Sequence, residues 1–250
     1  MQGPLRNAYL EALGIDRWVP RDAPMEPRSV EPERLVPTGR APVADSPRIE
    51  VPAPAARPAI LPAGDWSALR EQVAACTACD LCKTRTQTVF GVGDTRAEWL
   101  VIGEAPGAEE DRQGEPFVGR AGQLLNAMLL AIGLPRETVF IANILKCRPP
   151  GNRDPKPEEV SRCLPFLSAQ IALLKPKIML AVGRIAAQNL LATDAPLARL
   201  RGKLHYFGEA NTPLVITYHP AYLLRTPSDK RKAWEDLKFA RATYQRLVTN

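Results

Sequence analysis

The side chains best suited to chemistry lie in the stretch Gly103–Gly119, which reads GEAPGAEEDRQGEPFVG. The stretch follows an apolar run, Trp99–Ile102, that predicts a buried strand, and it precedes residues 121–132, which predict a helix. A Gly- and Pro-rich turn between a strand and a helix is where open α/β sheets place their ligand sites. Its glycines allow another segment to approach closely, its acidic residues supply carboxylates, and Phe117 offers an aromatic face. Composition alone would equally suit a solvated loop, so the other motifs of the chain have to decide.

Five cysteines form a second group of reactive side chains: Cys76, Cys79, Cys82, Cys147 and Cys163. The chain shows no export signal, so a disulfide framework is not expected. Cys76 and Cys79 are spaced C-x2-C at the end of a predicted helix, which is half of a metal site. Together with two distant cysteines, four thiolates suit either a [4Fe–4S] cluster or a structural zinc ion. Cys82 forms a second C-x2-C with Cys79 and could replace one of the four, and separate buried thiols are the alternative to a metal site.

Strands and helices alternate along most of the chain. Apolar and β-branched runs predict strands over residues 98–102, 138–144, 177–183 and 214–217. Helical patterns occupy residues 66–75, 121–132, 157–174, 185–191 and 230–247, with a kink expected at Pro165. This alternation predicts a three-layer α/β/α fold with a central, mostly parallel four-stranded sheet. The polar motifs that follow the first, second and fourth strands would then meet at one edge of the sheet, where a single site can collect them.

The first part of the chain differs from the rest in composition. Residues 1–63 hold 12 of the 25 prolines and carry eight Arg against eight Asp or Glu, so their net charge is zero. We predict a disordered N-terminal extension there, in which residues 7–18 could form a short helix that docks on a protein partner or packs back on the domain. Residues 64–250 are predicted to be one domain that carries the whole net charge of +6, which favours a polyanionic partner. The sequence shows neither an apolar run of about 18 residues nor a signal peptide, so a cytoplasmic location is expected.

Three motifs at the predicted strand ends are specific enough to compare with known families. The stretch Gly103–Gly119 begins with GEAPG and ends with PFVG, Asn143–Arg153 reads NILKCRPPGNR, and His219–Arg225 reads HPAYLLR. Together with the cysteine spacing, they resemble the motifs of the family 4 uracil-DNA glycosylases over residues 66–248. The resemblance implies a uracil-DNA glycosylase-like α/β/α fold and a DNA repair enzyme that flips uracil out of DNA and hydrolyses its N-glycosidic bond. It also implies a [4Fe–4S] cluster held by Cys76, Cys79, Cys147 and Cys163, with Cys82 as a bystander.

The resemblance implies roles that the side-chain chemistry supports. The carboxamide of Asn143 can bond to O4 and N3–H of uracil, and Phe117 can stack on the base. His219 can donate a hydrogen bond to O2 as negative charge develops on the leaving base. Gly103 and Ala105 complete the expected substrate-binding residues. A carboxylate or a positioned water can stabilise or capture the sugar, and the candidates for this catalytic role are Glu104, Glu110 and Asn152.

The sequence departs from the family pattern at one position and suggests several DNA contacts. In the family as a whole an Asp often follows the position of Glu104, but Ala105 stands there in this chain, so a strongly water-activating Asp is missing. Arg225 is expected to enter the DNA groove while Leu223 or Leu224 fills the gap left by the flipped base. Phosphate contacts are expected from basic side chains of two loops: Lys146, Arg148, Arg153, Arg199, Arg201 and Lys203.

Two other functions are compatible with parts of the sequence. A non-catalytic iron–sulfur protein that binds uracil-containing or single-stranded DNA would share the cysteines and the basic surface, but it would not need Asn143 and His219 together at strand ends. One branch of the superfamily captures uracil-DNA covalently through a His in a basic insertion after the second strand, and the corresponding loop here contains no His. The expected partners are uracil-containing DNA, single- or double-stranded, and a protein that binds the N-terminal segment. We expect the chain itself to be a monomer.

Overall fold

The computed structural model describes residues 65–249, so the predicted extension over residues 1–63 and its helix at 7–18 lie outside the described residues. Six strands form one sheet. They are β1 (Val92–Gly93), β2 (Trp99–Gly103), β3 (Phe140–Asn143), β4 (Ile178–Val182), β5 (Leu204–Phe207) and β6 (Thr212–Thr217). Their order across the sheet is β1-β3-β2-β4-β6-β5.

The four predicted strands form the parallel centre of this sheet. Strand β2 pairs in parallel with β3 on one side and with β4 on the other, and β4 pairs in parallel with β6. The two antiparallel edge strands, β1 and β5, were not predicted from the sequence. Strand β1 has only two residues and β5 is partly exposed throughout, so neither produces the apolar run that marks a central strand. The sheet is therefore mixed, with a parallel core and antiparallel edges.

Two apolar layers cover the two faces of the sheet. All five residues of β2 are buried, and they alternate between the layers, with Leu100 and Ile102 on one side and Trp99 and Val101 on the other. The first layer includes α1 (Trp66–Ala74), α4 (Pro157–Leu174), α5 (Arg184–Leu191) and α6 (Leu197–Leu200). The second includes α3 (Arg120–Ala131), α7 (Pro220–Arg225) and α8 (Lys230–Thr249). This arrangement is the predicted α/β/α architecture, because strands buried on both faces need helices on both sides.

The helices begin and end close to their predicted limits. Asp65 caps α1, and its Oδ1 accepts a hydrogen bond from the N–H of Ala68 at 2.8 Å. Helix α4 runs through Pro165 as a single element of 18 residues. A short helix, α2 (Ala108–Gln113), lies inside the Gly103–Gly119 stretch, where only a turn was expected. Among residues 65–249 no helix is long and apolar enough to cross a membrane.

The strand register brings the polar motifs together at one edge of the sheet. Gly103 at the end of β2 is paired with Asn143 at the end of β3, and Val182 of β4 is paired with Thr217 of β6. Because these strands are parallel, the segments that leave them emerge on the same side. The first motif, the Asn143 segment and the His219 segment therefore border one cleft, as the sequence predicted.

Candidate active site

The corner where β2 and β3 end brings three predicted site residues into contact. A Cβ atom at residue 103 would lie 2.4 Å from Oδ1 of Asn143 and 2.6 Å from Cζ of Phe117. Both distances are shorter than any ordinary contact with carbon. Glycine at position 103 therefore lets the amide and the aromatic ring close over the end of the strand.

The carboxamide of Asn143 is buried with an open acceptor. The residue is 2% exposed, and its Oδ1 has no hydrogen-bond partner anywhere in the stretch 65–249. An unsatisfied buried acceptor costs about 1–3 kcal/mol, so native proteins rarely retain one without a reason. Since Asn143 also lines the cleft, an acceptor kept open there fits a ligand that brings its own donor.

His219 reaches the same cleft from the segment that follows β6. Its Nδ1 accepts a hydrogen bond from the N–H of Ala221 at 3.1 Å, which leaves the ring proton on Nε2. Burial, followed by the nearby guanidinium of Arg225, lowers the pKa of His219 to about 4. At neutral pH the imidazole is therefore uncharged and offers one N–H donor. Its ring centre lies 5.7 Å from that of Phe117.

Gly183 is a site residue that the sequence analysis did not identify. It has φ of +100°, and a Cβ atom there would lie 2.9 Å from Cβ of His219. Its N–H donates to the carbonyl of Thr217 at 2.9 Å, which ties the end of β4 to the end of β6. The sequence did contain a signal for Gly183. It is a glycine between the third predicted strand and the following helix, and the first motif has a glycine at the same kind of junction.

Phe117 has a strained backbone that one arginine supports. Its φ is 54°, in the left-handed region that an aromatic residue rarely occupies. Arg136 donates from Nη1 to the carbonyl of Phe117 at 3.3 Å and from Nη2 to the carbonyl of Pro116 at 2.6 Å. Strain of this kind persists only where the surroundings hold the backbone in place. No sequence signal pointed to Arg136, because it lies 19 residues from Phe117, in the one-turn 3-10 helix Arg136–Thr138.

Glu104 has the most unusual environment of the candidate carboxylates. Burial, and then the negative charge of Asp154, raise the pKa of Glu104 to about 7, and the positive charge of Arg184 opposes this shift. Arg184 in turn donates from Nη2 to Oδ2 of Asp154 at 2.8 Å, and all three side chains line the cleft. A carboxyl group whose pKa lies near neutrality can act as an acid or a base under physiological conditions.

Glu110 lines the cleft, but the backbone occupies both of its oxygens. Oε2 accepts from the N–H of Gly107 at 3.1 Å, and Oε1 accepts from the N–H groups of Val118 at 3.0 Å and Gly119 at 3.2 Å. The carboxylate therefore joins the two ends of the loop that presents Phe117. This geometry suits a residue that orients the loop better than one that holds a water molecule.

Most of the predicted site residues border this one cleft. They are Glu104, Ala105, Glu110, Phe117, Asn143, Asn152, Arg153, His219 and Arg225, and Gly103 lies directly against two of them. Asn152 stands at the exposed end of the cleft with φ of 54°, and its Oδ1 accepts from Nε of Arg148 at 2.8 Å. The deepest polar groups are thus those of Asn143, His219 and Glu104, which come from the ends of three different strands.

A second cavity is lined by the five cysteines. Two N–H groups point at sulfur: Nη1 of Arg85 lies 3.1 Å from Sγ of Cys147, and the backbone nitrogen of Lys146 lies 3.1 Å from Sγ of Cys163. Burial raises the pKa of the thiols of Cys79, Cys147 and Cys163, the last to about 12. These sulfurs therefore become thiolates only when positive charge is placed beside them, as a metal centre does.

Comparison with known proteins identifies the family. The sequence model of the Uracil DNA glycosylase superfamily matches residues 90–238. The type-4 uracil-DNA glycosylase of Archaeoglobus fulgidus is 44% identical over 173 residues, which cover 67% of this chain and 87% of that protein. The type-4 enzyme of Thermotoga maritima is 41% identical over 176 residues, covering 69% and 91%. This chain belongs to the type-4 uracil-DNA glycosylases.

Membership of the type-4 group confirms the family that the three motifs predicted. A more distant likeness exists to the type-5 uracil-DNA glycosylase of Thermus thermophilus, with 35% identity over 149 residues that cover 52% of this chain and 68% of that protein. The superfamily match begins at residue 90, so it includes the cleft but not the first three cysteines. The longer type-4 matches cover more of the chain.

The side chains that a type-4 glycosylase could direct at DNA lie partly on the cleft rim. Arg225 lines the cleft and is exposed, and the neighbouring Leu224 on α7 is 38% exposed. Arg153 also lines the cleft, where its Nη1 donates to Oε2 of Glu159 at 2.9 Å. Arg148 is partly exposed and bonded to Asn152. These positions are compatible with the predicted contacts to phosphate and base.

Two other basic residues have different surroundings from those predicted. Arg201 forms a two-point ion pair with the buried carboxylate of Asp236, with both N–O distances at 3.0 Å, and its side chain is only 17% exposed. Its guanidinium also lies 5.2 Å from the ring centre of Tyr218, so it braces the cleft wall, and this geometry does not favour a phosphate contact. Lys146 is 1% exposed, so the prediction that it contacts phosphate is wrong. Its charge is enclosed between the cleft and the cysteine cavity, which a basic loop sequence does not reveal.

Proposed function

We propose that this chain releases uracil from DNA by binding a flipped-out deoxyuridine and hydrolysing its N-glycosidic bond, the first step of base excision repair. The observation that carries the proposal is the buried, unpaired Oδ1 of Asn143 in the cleft. N3–H of uracil is a donor that this atom lacks, and uracil O4 can accept from the amide nitrogen of the same side chain. Membership of the type-4 uracil-DNA glycosylases supports the same substrate.

The aromatic ring and the imidazole complete a pocket for a planar base. Phe117 supplies a buried face on which uracil can stack. His219 stands close to that ring and carries its proton on Nε2, so it can donate to O2 of uracil. As the glycosidic bond breaks, negative charge spreads onto O2, and a donor aimed there stabilises the transition state. The low pKa of His219 means that hydrogen bonding, rather than proton transfer from imidazolium, is its contribution at neutral pH.

Glu104 is our candidate for the group that acts on the sugar side. Its carboxylate can orient water or stabilise the positive charge that develops on the sugar. The other two candidates fit less well, because backbone N–H groups occupy Glu110 and Asn152 is exposed and bonded to Arg148. We infer that Glu110 positions the loop that carries Phe117. In this chain the role of the missing Asp at position 105 would then fall to Glu104.

The cysteine cavity supports a [4Fe–4S] cluster held by Cys76, Cys79, Cys147 and Cys163. The donor set is entirely sulfur, and two N–H groups already point at sulfur atoms, as they do around iron–sulfur centres. Four thiolates also suit a zinc ion, and metal analysis of the purified protein distinguishes the two. When bound, the cluster would hold α1, the Cys147 loop and α4 together.

Arg148, Arg153, Leu224 and Arg225 remain our candidates for contacts with DNA. We propose that Leu224 fills the space left by the flipped nucleotide and that Arg225, Arg148 and Arg153 contact the DNA backbone. Arg201 is reassigned to bracing Tyr218. A protein partner for residues 1–63, the monomeric state and the cytoplasmic location stay predictions.

A base-release assay tests the proposed function. Wild-type protein should release uracil from single-stranded and duplex oligonucleotides that carry one U, and parallel hypoxanthine and xanthine substrates define the range of bases. His219→Ala should slow single-turnover release by about 10²–10³-fold, as loss of an oxyanion donor does, while DNA is still bound. The matched control is His205→Ala, since His205 is the other histidine of the chain and is bonded to the carbonyl of Leu200 at 2.7 Å, away from the cleft.

The same assay separates the alternatives. Binding of uracil-containing DNA without any release would point to a non-catalytic DNA-binding protein and would contradict the proposal. A protein–DNA adduct that survives denaturation would instead indicate covalent capture. Equal loss of activity in the His205 and His219 variants would remove the special role assigned to His219.

The pH dependence of release should report on Glu104. Below a pH of about 7 its carboxyl is protonated and neutral, and above that pH it is ionised. The single-turnover rate is therefore expected to rise with pH through about 7 and to level off above it. His219 does not titrate in this range, because its pKa is lowered to about 4. The profile is measured as the single-turnover release rate at pH values from about 5.5 to about 9.

Glu104→Gln should remove the inflection and lower the rate on the alkaline side. Burial raises the pKa of Glu104 in the folded protein above its pKa in the unfolded chain. The folded protein therefore loses stability as the pH rises from the unfolded-state pKa through about 7. Because Gln has no carboxyl group to ionise, the variant should unfold at a higher temperature than wild type at pH 8. Glu109→Gln is the matched control, since Glu109 is exposed and paired with Arg112. If Glu104→Gln keeps the wild-type pH profile, a group other than Glu104 causes the inflection.

A further inference from the structure

Lys146 is a fully buried lysine whose ammonium group bonds to the main chain of Asn143 rather than to its carboxamide. Its Nζ donates to the backbone carbonyl of Asn143 at 2.8 Å and to Oε1 of Gln170 at 2.6 Å. Gln170 is itself 0% exposed, and its Nε2 donates to the carbonyl of Phe90 at 2.9 Å. The ammonium group is thus held by two acceptors, and one of them belongs to the residue proposed to read the base.

The backbone of the same lysine belongs to the cysteine cavity. Its N–H donates to Sγ of Cys163 at 3.1 Å, and its carbonyl accepts from the N–H of Val89 at 2.8 Å. The next residue, Cys147, is one of the proposed cluster ligands. One residue therefore connects the sulfur atoms to Asn143, with its main chain on one side and its side chain on the other.

The segment between Asn143 and Lys146 is fixed along its length. The N–H of Ile144 donates to the carbonyl of Gly103, and the N–H of Leu145 donates to the carbonyl of Glu104, both at 3.0 Å. The carbonyl of Asn143 is bonded to Nζ instead, so the lysine closes the turn at the position where β3 ends. Oδ1 of Asn143 would lie only 2.4 Å from a Cβ atom at residue 103, so the carboxamide packs against the end of β2, and a rotation of the Asn143 peptide would change that contact.

Burying an ammonium group in the protein interior is energetically unfavourable. Desolvating a charge is unfavourable unless hydrogen bonds compensate, and a methionine of similar length would avoid that penalty. The retained charge is explained if its bonds place a group that must be accurate. The carbonyl of Asn143 and Oε1 of Gln170 supply the hydrogen bonds that compensate the ammonium group there.

We propose that Lys146 is a positioning residue for base recognition, which sets the orientation of Asn143 from the cysteine loop. This inference rests on the proposed function and deepens it, because it makes the geometry of the uracil pocket depend on the sulfur-bearing loop. It predicts that the effect of removing the ammonium is transmitted through Asn143 and not through general loss of stability.

A double-mutant cycle tests this coupling in the metal-loaded protein. Wild type, Lys146→Met, Asn143→Ala and the double variant are compared by single-turnover uracil release at saturating enzyme. Lys146→Met should slow release by about 100-fold, as misplacement of a binding group by about 1 Å can do, with DNA affinity and iron content unchanged. In the Asn143→Ala background the same change should have an effect of less than about threefold, because the group it positions is already gone.

Two further variants keep the result interpretable. Gln170→Met removes one acceptor without touching the cysteine loop and should show the same coupling with a smaller loss, about tenfold, so it carries the test if Lys146→Met loses iron. Tyr244 lies on helix α8, away from the cleft, and its hydroxyl donates to Glu98, which precedes β2. Tyr244→Phe removes this hydrogen bond and should leave release unchanged in both backgrounds. If the rate reduction in the double variant equals the product of the reductions caused by Lys146→Met and Asn143→Ala alone, the proposal is overturned.

Hydrogen exchange separates a failure of this inference from a failure of the proposed function. In Lys146→Met, amides of residues 143–147 should exchange faster than in wild type, whereas those of β4 and β6 should not, whatever base the protein releases. Unchanged exchange in that segment would refute the positioning role. If wild type releases no uracil but the segment loosens as expected, the proposed function fails and the positioning of Asn143 by Lys146 stands.

Discussion

Asn143→Asp is expected to lose most uracil release and to gain weak release of cytosine. Uracil presents a donor at N3 and an acceptor at O4, and the Asn143 carboxamide can match this pattern with its oxygen towards N3–H and its nitrogen towards O4. Aspartate offers only acceptors, so O4 loses its partner and meets a second oxygen. Each unsatisfied or opposed polar group in a buried site costs about 1–3 kcal/mol, so two of them would slow release by about 30- to 10⁴-fold.

Cytosine reverses the pattern at both positions. Its 4-amino group donates, which suits the new carboxylate, while its N3 accepts and still opposes an oxygen. Release of cytosine should therefore appear only weakly. Single-turnover release from oligonucleotides carrying one U or one C measures both effects. Asn189→Asp is the matched control, because Asn189 lies on α5 with its Nδ2 bonded to the carbonyl of Ile185. Near-wild-type uracil rates in both Asn143→Asp and Asn143→Ala would make Asn143 a structural residue and place the base pocket elsewhere.

Replacement of Cys147 or Cys163 by Ala should bleach the protein and destabilise the whole domain. Both thiols are buried, and burial raises their pKa, so thiolates at these positions would need a metal centre to balance their charge. Loss of one ligand would release the cluster and with it the link between the loop after β3 and helix α4. We expect iron content and the broad absorption near about 400 nm to disappear together. The Tm should fall by about 10 °C or more, which for a domain of this size corresponds to a few kcal/mol.

Cys82→Ala is the matched control in the same cavity. Cys82 lines that cavity with the other four cysteines, so the comparison changes one thiol at a time in one environment. Iron content, colour and Tm of this variant should equal those of wild type. Bleaching by Cys82→Ala would show that Cys82 is a cluster ligand in place of one of the four proposed cysteines. A colourless wild-type protein with one equivalent of zinc would contradict the iron–sulfur assignment as a whole.

The parallel core of the fold could be predicted because its strands are buried on both faces. Runs such as Trp99–Ile102 and Ile178–Val182 contain apolar residues without alternation, and such runs predict central parallel strands. The edge strands β1 and β5 escaped prediction because they are short or partly exposed, and pairing with a neighbour rather than composition makes them strands. The site location followed from topology, since motifs after parallel strands must meet at one edge.

The sequence by itself determined the family, the three strand ends that form the cleft, and the identity of Asn143, Phe117 and His219 as neighbours. Only the tertiary structure decided which charged groups are free. It places Lys146 in the interior and Arg201 against Asp236, it occupies Glu110 with backbone N–H groups, and it leaves Glu104 with a pKa near 7. The physical reason is that spacing along the chain specifies which segments are buried together. The environment of a charge, in contrast, depends on partners from distant segments, such as Asp236 for Arg201 at a separation of 35 residues.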